Sequence, residues 1–326
     1  METLNILVVR LGSMGDILHT LPAAASLKHS FPHSRLSWAV DPKWLPLLED
    51  NPFLDATIPL VRRGIGDFFR ARRKLRETRH QVAVDFQGLI QSAVAASLAR
   101  PDRIYGFHQS EVRERFAALF YSTGVQTRSK HVVDKNLELA AAAGAANVLQ
   151  VFPVPAGRPE GELPREPFVL ASPLAGWVSK QWPLENYSDL GQRLRTELGL
   201  RLVLNGAPGS EAILASVKNA ALHISGLAGL IDATRKATAV VGLDSGPMHL
   251  AAALSKPGVA LFGPTDPERN GPYCDTMTIL RSPRARTSYK RRTEIDPSMH
   301  DITPEAVLEA LKLRLSRSSR SAGNSA

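Results

Sequence analysis

Asp16 closes the stretch Arg10-Leu11-Gly12-Ser13-Met14-Gly15-Asp16, which joins an apolar run to a helical one. Two tasks suit a carboxylate there. It can take a proton from a hydroxyl, or it can cap the helix and face its dipole. The glycines allow close backbone approach, and a helix N-terminus favours an anion. The spacing is neither the G-x-G-x-x-G dinucleotide fingerprint nor a P-loop, since no GK[ST] follows.

Lys180 lies in Lys180-Gln181-Trp182-Pro183, at the end of a long loop that starts at Ser172. A lysine at a strand's carboxyl end can meet a phosphate as a point charge, or simply cover a packed tryptophan. Gly242-Leu243-Asp244-Ser245-Gly246-Pro247-Met248-His249 follows another strand. Ser245 and Gly246 can present backbone N–H groups as a diphosphate cradle, with Asp244 or His249 in reach of a ribose or phosphate. A plain helix cap is the alternative. Gly263-Pro264-Thr265-Asp266-Pro267 ends the next strand in the same manner, or forms a rigid turn. The His and Asp residues show no metal-ligand spacing, with no HExxH and no DxD, so a metal-independent chemistry is expected.

Strands and helices alternate around these residues. Asn5 to Arg10, Leu36 to Val40, Thr57 to Leu60, Gln81 to Phe86 and Ile104 to Phe107 read as strands. Helices are expected from Ile17 to His29, near Trp44 to Glu49, through the basic segment after Arg63, and from Leu89 to Leu98. Residues 151–167 hold five prolines and two glycines, the composition of a linker. The pattern then restarts with strands Phe168 to Ser172, Arg201 to Asn205, Ala239 to Leu243 and Gly258 to Phe262. Helices are expected from Leu184 to Leu198, Ser210 to Ala221 and Pro247 to Leu254, with Thr303 capping a last one that opens at Pro304. This is α/β with two doubly wound, Rossmann-like domains. Residues 1–155 are expected to form the first domain, 156–167 to link, and 168–300 to form the second. Residues 301–316 are expected to form a helix packing back on the first domain, and 317–326 a flexible tail. Open parallel sheets bind ligands beyond the carboxyl ends of their strands, so two such halves are expected to face a common cleft.

Composition narrows the classes. The 326 residues exceed what one core usually serves, and 44% apolar content is too high for disorder. No apolar stretch approaches the length of a membrane span, and the start, METLNILVVRLGS, runs straight into a strand, so no signal peptide is expected. A single cysteine, Cys274, allows no internal disulfide and fits a reducing compartment. The net charge of +9 points to an anionic partner. Between Arg62 and Arg79 eight basic residues stand against Asp67 and Glu77 alone. That run reads either as a solvated helix face or as an anion-binding one. No RNA-stacking motif accompanies it, which argues against nucleic acid.

Taken together, five stretches resemble glycosyltransferase family 9, nearest its lipopolysaccharide heptosyltransferase I branch. They are Gly12-Ser13-Met14-Gly15-Asp16-Ile17-Leu18-His19-Thr20-Leu21-Pro22, Asp85-Phe86-Gln87-Gly88-Leu89, Lys180-Gln181-Trp182-Pro183, Asp244-Ser245-Gly246-Pro247-Met248-His249 and Phe262-Gly263-Pro264-Thr265-Asp266-Pro267. They occur in the family's order across roughly residues 4–315. The resemblance implies the glycosyltransferase B fold, an ADP-heptose donor used as substrate with no cofactor, and an anionic lipopolysaccharide acceptor carrying Kdo. It implies inverting, metal-independent transfer at the cytoplasmic face of the inner membrane, by an enzyme peripherally associated with that surface. Position by position, Asp16 is implied as general base and Lys180 as the catalytic donor-phosphate contact. Ser13, Met14, Gly15, Ser172, Asp244, Ser245, Gly246 and His249 are implied around the donor, and Arg62, Arg63 and Gln87 around the acceptor. The basic stretch from Arg281 to Arg292 has no counterpart in this resemblance.

Two other readings remain. A heptosyltransferase II, or another family 9 transferase, would share these motifs and differ in acceptor. A nicotinamide-dependent oxidoreductase would share the fold but needs the missing fingerprint.

Overall fold

The apolar run after Leu4 forms β1 (Asn5–Val9), which lies inside a sheet and is buried along nearly its whole length. Only a β-branched strand covered on both faces reads this way. The computed structural model describes residues 3–61 and 64–323. The chain divides into two units, Met1–Pro155 and Ala156–Ala326.

In the first unit β1 leads through α1 (Met14–Ser30) to β2 (Arg35–Val40) and β3 (Ala56–Pro59). The chain then runs through α2 (Ile65–Leu75), β4 (Val82–Asp85), α3 (Ile90–Leu98), β5 (Arg103–Phe107), β6 (Thr123–Val125) and α4 (Val132–Ala142). The strands are parallel, in the order β3-β2-β1-β4-β5-β6. Leu7, Val9, Ala39, Leu75, Ala83, Ala96 and Ile104 form one core cluster of this unit.

The second unit repeats the plan with β7 (Phe168–Ala171), α5 (Leu184–Leu198), β8 (Arg201–Gly206), α6 (Glu211–Leu214), β9 (Ala220–Ile224) and α7 (Leu227–Lys236). There follow β10 (Ala239–Leu243), α8 (Gly246–Ala253), β11 (Gly258–Phe262), α9 (Pro267–Asn270), β12 (Met277–Arg281), α10 (Pro297–His300) and α11 (Pro304–Gly323). Its parallel order is β12-β11-β10-β7-β8-β9. Each sheet starts at an inner strand, builds to one edge, then returns to the starting strand's other side. The reversal falls between β1 and β4, and again between β7 and β10. Crevices of this kind, outside the carboxyl ends of strands, are where such sheets bind ligands.

Several expectations are corrected. The stretch from Ser210 to Ala221 is not one helix: α6 ends at Leu214, and Asn219 adopts a left-handed φ of 58° before β9 begins. Short apolar runs such as Ala220–Ile224 read equally as helix or strand, and pairing with β8 decides for strand. Helix α1 starts at Met14, so Pro22 lies well inside it. The C-terminal helix packs on its own unit, not on the first as expected from sequence, so far as its core contacts go. Its Val307, Leu308 and Leu311 belong to the second core, Trp182 Nε1 donates to Ile302 O at 2.8 Å, and Arg314 binds Met277 O at 2.9 Å. The short path from β12 leads it onto α5 and the β11–β12 side of its own sheet. Its backbone stays helical through Gly323, past the expected start of a tail at 317. Among the described residues no helix is long and apolar enough to cross a membrane.

Candidate active site

Arg10 is the first residue past β1 and the hub of the first unit's candidate site. A charge ending a buried strand needs partners, and here it has several. One Nη donates to Phe86 O, just past β4. The other pairs with Asp16 Oδ1 at 2.5 Å. Asp16 is the third residue of α1, and its Oδ2 accepts from Ser13 N at 3.0 Å and Ser13 Oγ at 2.9 Å. The carboxylate is thus both a cap and an ion-pair partner, yet its side chain remains 39% exposed. A Cβ on Gly12 would stand 2.7 Å from Trp44 Nε1, so only glycine lets the loop pass there.

The β4 side holds this loop in place. Gln87 Oε1 accepts from Leu11 N at 2.7 Å, while Gln87 N donates to Asp85 Oδ1 at 2.9 Å. Asp85 is fully buried, and its Oδ2 accepts from Ser92 Oγ at 2.8 Å and Tyr121 Oη at 2.7 Å. Burial pushes the Asp85 carboxyl above its ordinary value, further than those hydrogen bonds and Arg10 pull it down. A buried acid needs hydrogen-bond partners, and here they tie down the turn that carries Gln87 beside the Asp16 loop.

The second unit's candidate site lies at the β7–β10 reversal. Lys180 Nζ is 2.6 Å from Asp244 Oδ2 and 3.3 Å from Asp244 O. His249 Nε2 faces Asp244 Oδ1 at 3.6 Å. Burial alone would push the Asp244 carboxyl up, but the His249 ring and the Lys180 ammonium outweigh it and hold it well below the usual range. Lys180 Nζ also lies 4.4 Å from the centre of the Trp177 ring, an attractive geometry for a cation. Ser245 caps α8, whose first turn presents Gly246 and Pro247. The first amides of a helix lack partners within it, which makes this end a cradle for an anion. A Cβ on Gly242 would stand 2.6 Å from Met248 Cβ, so this glycine lets α8 lie close on β10.

The structure brings Lys180, Asp244 and His249 into one cluster, with Ser245 and Gly246 adjoining it. Ser172 is buried at the end of β7. Asp244 is only 4% exposed, so its carboxylate positions Lys180 and His249 rather than facing solvent. In the first unit Asp16 and Ser13 are joined directly, Met14 is buried in the first turn of α1 and Gly15 beside it, and Gln87 is tied to the same loop. Arg62 and Arg63 lie outside the described residues. In the basic segment, Arg70 folds back onto Asp67, Arg76 Nε donates to Leu98 O at 2.8 Å, and Arg72 and Arg73 stay exposed. The sequence alone assigned no role to Arg10, Asp85, Tyr121 or Trp177. The signal for Arg10 was present, a charge closing an otherwise apolar strand. Nothing local marks Tyr121, whose link to Asp85 spans 36 residues. Among the described residues no group of three or more His, Cys, Asp or Glu could hold a metal ion.

Known proteins with this plan include lipopolysaccharide heptosyltransferase 1 of Pseudomonas aeruginosa, 29% identical over 337 residues and covering 94% of this chain and 93% of that protein. The heptosyltransferase 1 of Escherichia coli K12 is 27% identical over 311 residues, with 86% and 94% covered. Among solved structures, E. coli heptosyltransferase WaaC with ADP superposes with a TM-score of 0.77 at 24% identity, over 95% of this chain and 100% of that one. E. coli ADP-heptose LPS heptosyltransferase II gives 0.78 at 23% identity, over 97% and 100%. These likenesses carry the fold, two Rossmann-like units of the glycosyltransferase B type. The model of glycosyltransferase family 9 (heptosyltransferase) matches residues 68–300, more than half of the chain. With that match running from α2 of the first unit through most of the second, the chain belongs to glycosyltransferase family 9.

Proposed function

We propose that this enzyme moves a heptose from ADP-heptose to the Kdo region of the lipopolysaccharide inner core, with inversion and without a metal. The observation that carries the reading is the pairing of chemistries at the two sheet reversals. The first unit offers a solvent-accessible carboxylate, Asp16. The second offers a lysine and a helix N-terminus, which suit a diphosphate. Relatives named heptosyltransferase 1 support the choice of donor and acceptor.

In this reading Asp16 takes the proton from the acceptor hydroxyl as oxygen attacks the anomeric carbon, and the bond to the ADP oxygen breaks on the opposite face. Arg10 and Ser13 hold the carboxylate in place. Lys180 and the first amides of α8 stabilise the negative charge that grows on the departing diphosphate. Asp244 keeps Lys180 oriented. Gln87 contributes an amide beside the acceptor, with Arg62 and Arg63 pairing with acceptor carboxylates or phosphates.

We further propose that the first unit docks on an anionic membrane surface at the cytoplasmic face. Phe69 is 59% exposed on α2 beside Arg72 and Arg73. Helix α3 packs between α2 and the turn Arg115–Phe120, where Phe116 is 70% and Leu119 79% exposed. Exposed apolar groups flanked by arginines suit an interface with anionic headgroups.

The test is a product assay with ADP-heptose and two acceptors, one Kdo-terminated and one heptose-terminated. Transfer to the Kdo-terminated acceptor alone, with inverted anomeric configuration by NMR and full activity after chelation, is expected. Transfer only to the heptose-terminated acceptor would replace the reading with heptosyltransferase II. Loss of activity on chelation, restored by a divalent ion, would overturn the metal-free step.

A further inference from the structure

The loop between β12 and α10 carries Arg284, Arg286, Lys290, Arg291 and Arg292. It is tied at several points to the carboxyl end of the second sheet. Arg281, at its root, donates through Nε to Gly263 O at 3.2 Å and through Nη2 to Thr287 Oγ1 at 2.9 Å. Ser288 N donates to Pro264 O at 2.7 Å, and Asp296 N to Ser179 O at 3.2 Å. Gly263 and Pro264 follow β11, and Ser179 precedes Lys180. The basic loop therefore rests on the same end of the sheet as the Lys180 cluster.

Its charges are not equally compensated. Arg284 pairs with Asp301, and Arg292 lies 3.9 Å from Asp296. Arg291 has no acidic partner among the described residues. Instead its guanidinium carbon lies 5.2 Å from the centre of the Trp177 ring, the ring that Lys180 Nζ approaches at 4.4 Å. The two cations thus lie within about 10 Å of each other, one screening length at ordinary salt, and repel. Of these two cations, Lys180 is the one paired with Asp244. The indole draws both side chains to one place and restrains Arg291 there. Two hydroxyls in the tethering segments, Ser179 Oγ and Thr265 Oγ1, are buried without a hydrogen-bond partner, so unused donors sit at the same end of the sheet.

We infer that Arg291 is a second cation for the diphosphate of the nucleotide donor, sharing the Trp177 platform with Lys180. The inference rests on the reading that the second unit holds a nucleoside diphosphate sugar. Arg291's planar fork can bind phosphate oxygens through two parallel hydrogen bonds, where Lys180 acts as a point charge.

The experiment is calorimetric titration of the full chain with ADP and, separately, with adenosine. The proteins are wild type, Arg291→Ala, Arg291→Gln and Arg286→Ala, each checked for an unchanged melting temperature. Arg291→Ala and Arg291→Gln are expected to raise the Kd for ADP about tenfold or more, the scale of a charge-assisted hydrogen bond. The Kd for adenosine should not move. Arg286→Ala, which removes a loop cation away from the ring, should change ADP binding less than about twofold, as long-range charge alone does when screened. Equal ADP affinity in wild type and both Arg291 variants overturns the inference while leaving the donor reading intact. So does a loss in Arg286→Ala as large as that in Arg291→Ala. Absence of ADP binding by wild type overturns the donor reading and the inference with it.

Discussion

Replacing Asp244 with asparagine keeps the side chain's shape and removes its charge. In the native protein that carboxylate lies 2.6 Å from Lys180 Nζ and 3.6 Å from His249 Nε2. Removing one partner of a buried ion pair costs about 3–5 kcal/mol. Lys180 would keep the Asp244 carbonyl at 3.3 Å and the Trp177 ring, and its side chain is 14% exposed. The low end, about 3 kcal/mol, is therefore expected. In a unit of this size that corresponds to a fall in melting temperature of about 6–12 °C. The pH dependence follows from the sign of the shift. Burial raises the Asp244 carboxyl, but His249 and Lys180 outweigh it, so its folded value lies below its unfolded one. A depressed carboxyl contributes fully above its unfolded value, about 3.9, and loses that contribution as pH falls below it. The stability gap between wild type and Asp244→Asn should hold steady from pH 7 to about pH 5 and shrink below about pH 4. Urea unfolding read by tryptophan fluorescence at pH 7, 5 and 3.5 measures this, since Trp177 and Trp182 report on the second unit. A gap below about 1 kcal/mol at pH 7, the scale of an exposed pair, would refute the reasoning. So would a gap that stays constant to pH 3.5.

Asp16→Asn should lower kcat about a hundredfold or more, the usual scale for a general base, while circular dichroism stays native; near-normal turnover rules the role out. The same variant should lose about 1 kcal/mol of stability through the weakened cap, measured by urea unfolding, and an unchanged midpoint would contradict the capping geometry. Lys180→Ala should weaken ADP binding and lower kcat together, because charge on the leaving group grows in the transition state; unchanged single-turnover rates at saturating donor would remove Lys180 from the chemical step. Replacing Arg70, Arg72 and Arg73 with alanine should reduce co-sedimentation with anionic vesicles, most clearly at low salt. Equal sedimentation of wild type and triple variant would return α2 to an ordinary solvated face.

The two readings of Asp16 turn out not to compete. Its Oδ2 serves Ser13 as a cap, and its Oδ1 meets Arg10. The proposed base role needs the carboxylate held in a defined place, and the cap and ion pair hold it so. The same economy recurs at Asp244, whose burial would be unfavourable without Lys180 and His249 and which in turn fixes both.

The inner strands were legible before any coordinates. Ile6 to Val9, Ala239 to Leu243 and Gly258 to Phe262 are unbroken apolar runs, as strands buried on both faces of a parallel sheet are. The loops that follow them were legible for the same reason, because glycine, serine and aspartate cluster where strands stop. Of the four edge strands only β3 was. β6, β9 and β12 are half-exposed and short, so their patterns carry little periodicity, and the chain around Ala220 read as helix. Apolar spacing on α11 announced a buried face without naming the surface that buries it. The pairings that build the site also lay beyond the sequence. Arg10 meets Phe86, Lys180 meets Asp244 across 64 residues, and Arg291 reaches Trp177 only because strand order makes their loops neighbours. Periodicity records whether a residue is buried, a property of its own few neighbours along the chain. Which distant residue it meets depends on the order in which strands assemble, and that order is decided by packing of the whole sheet.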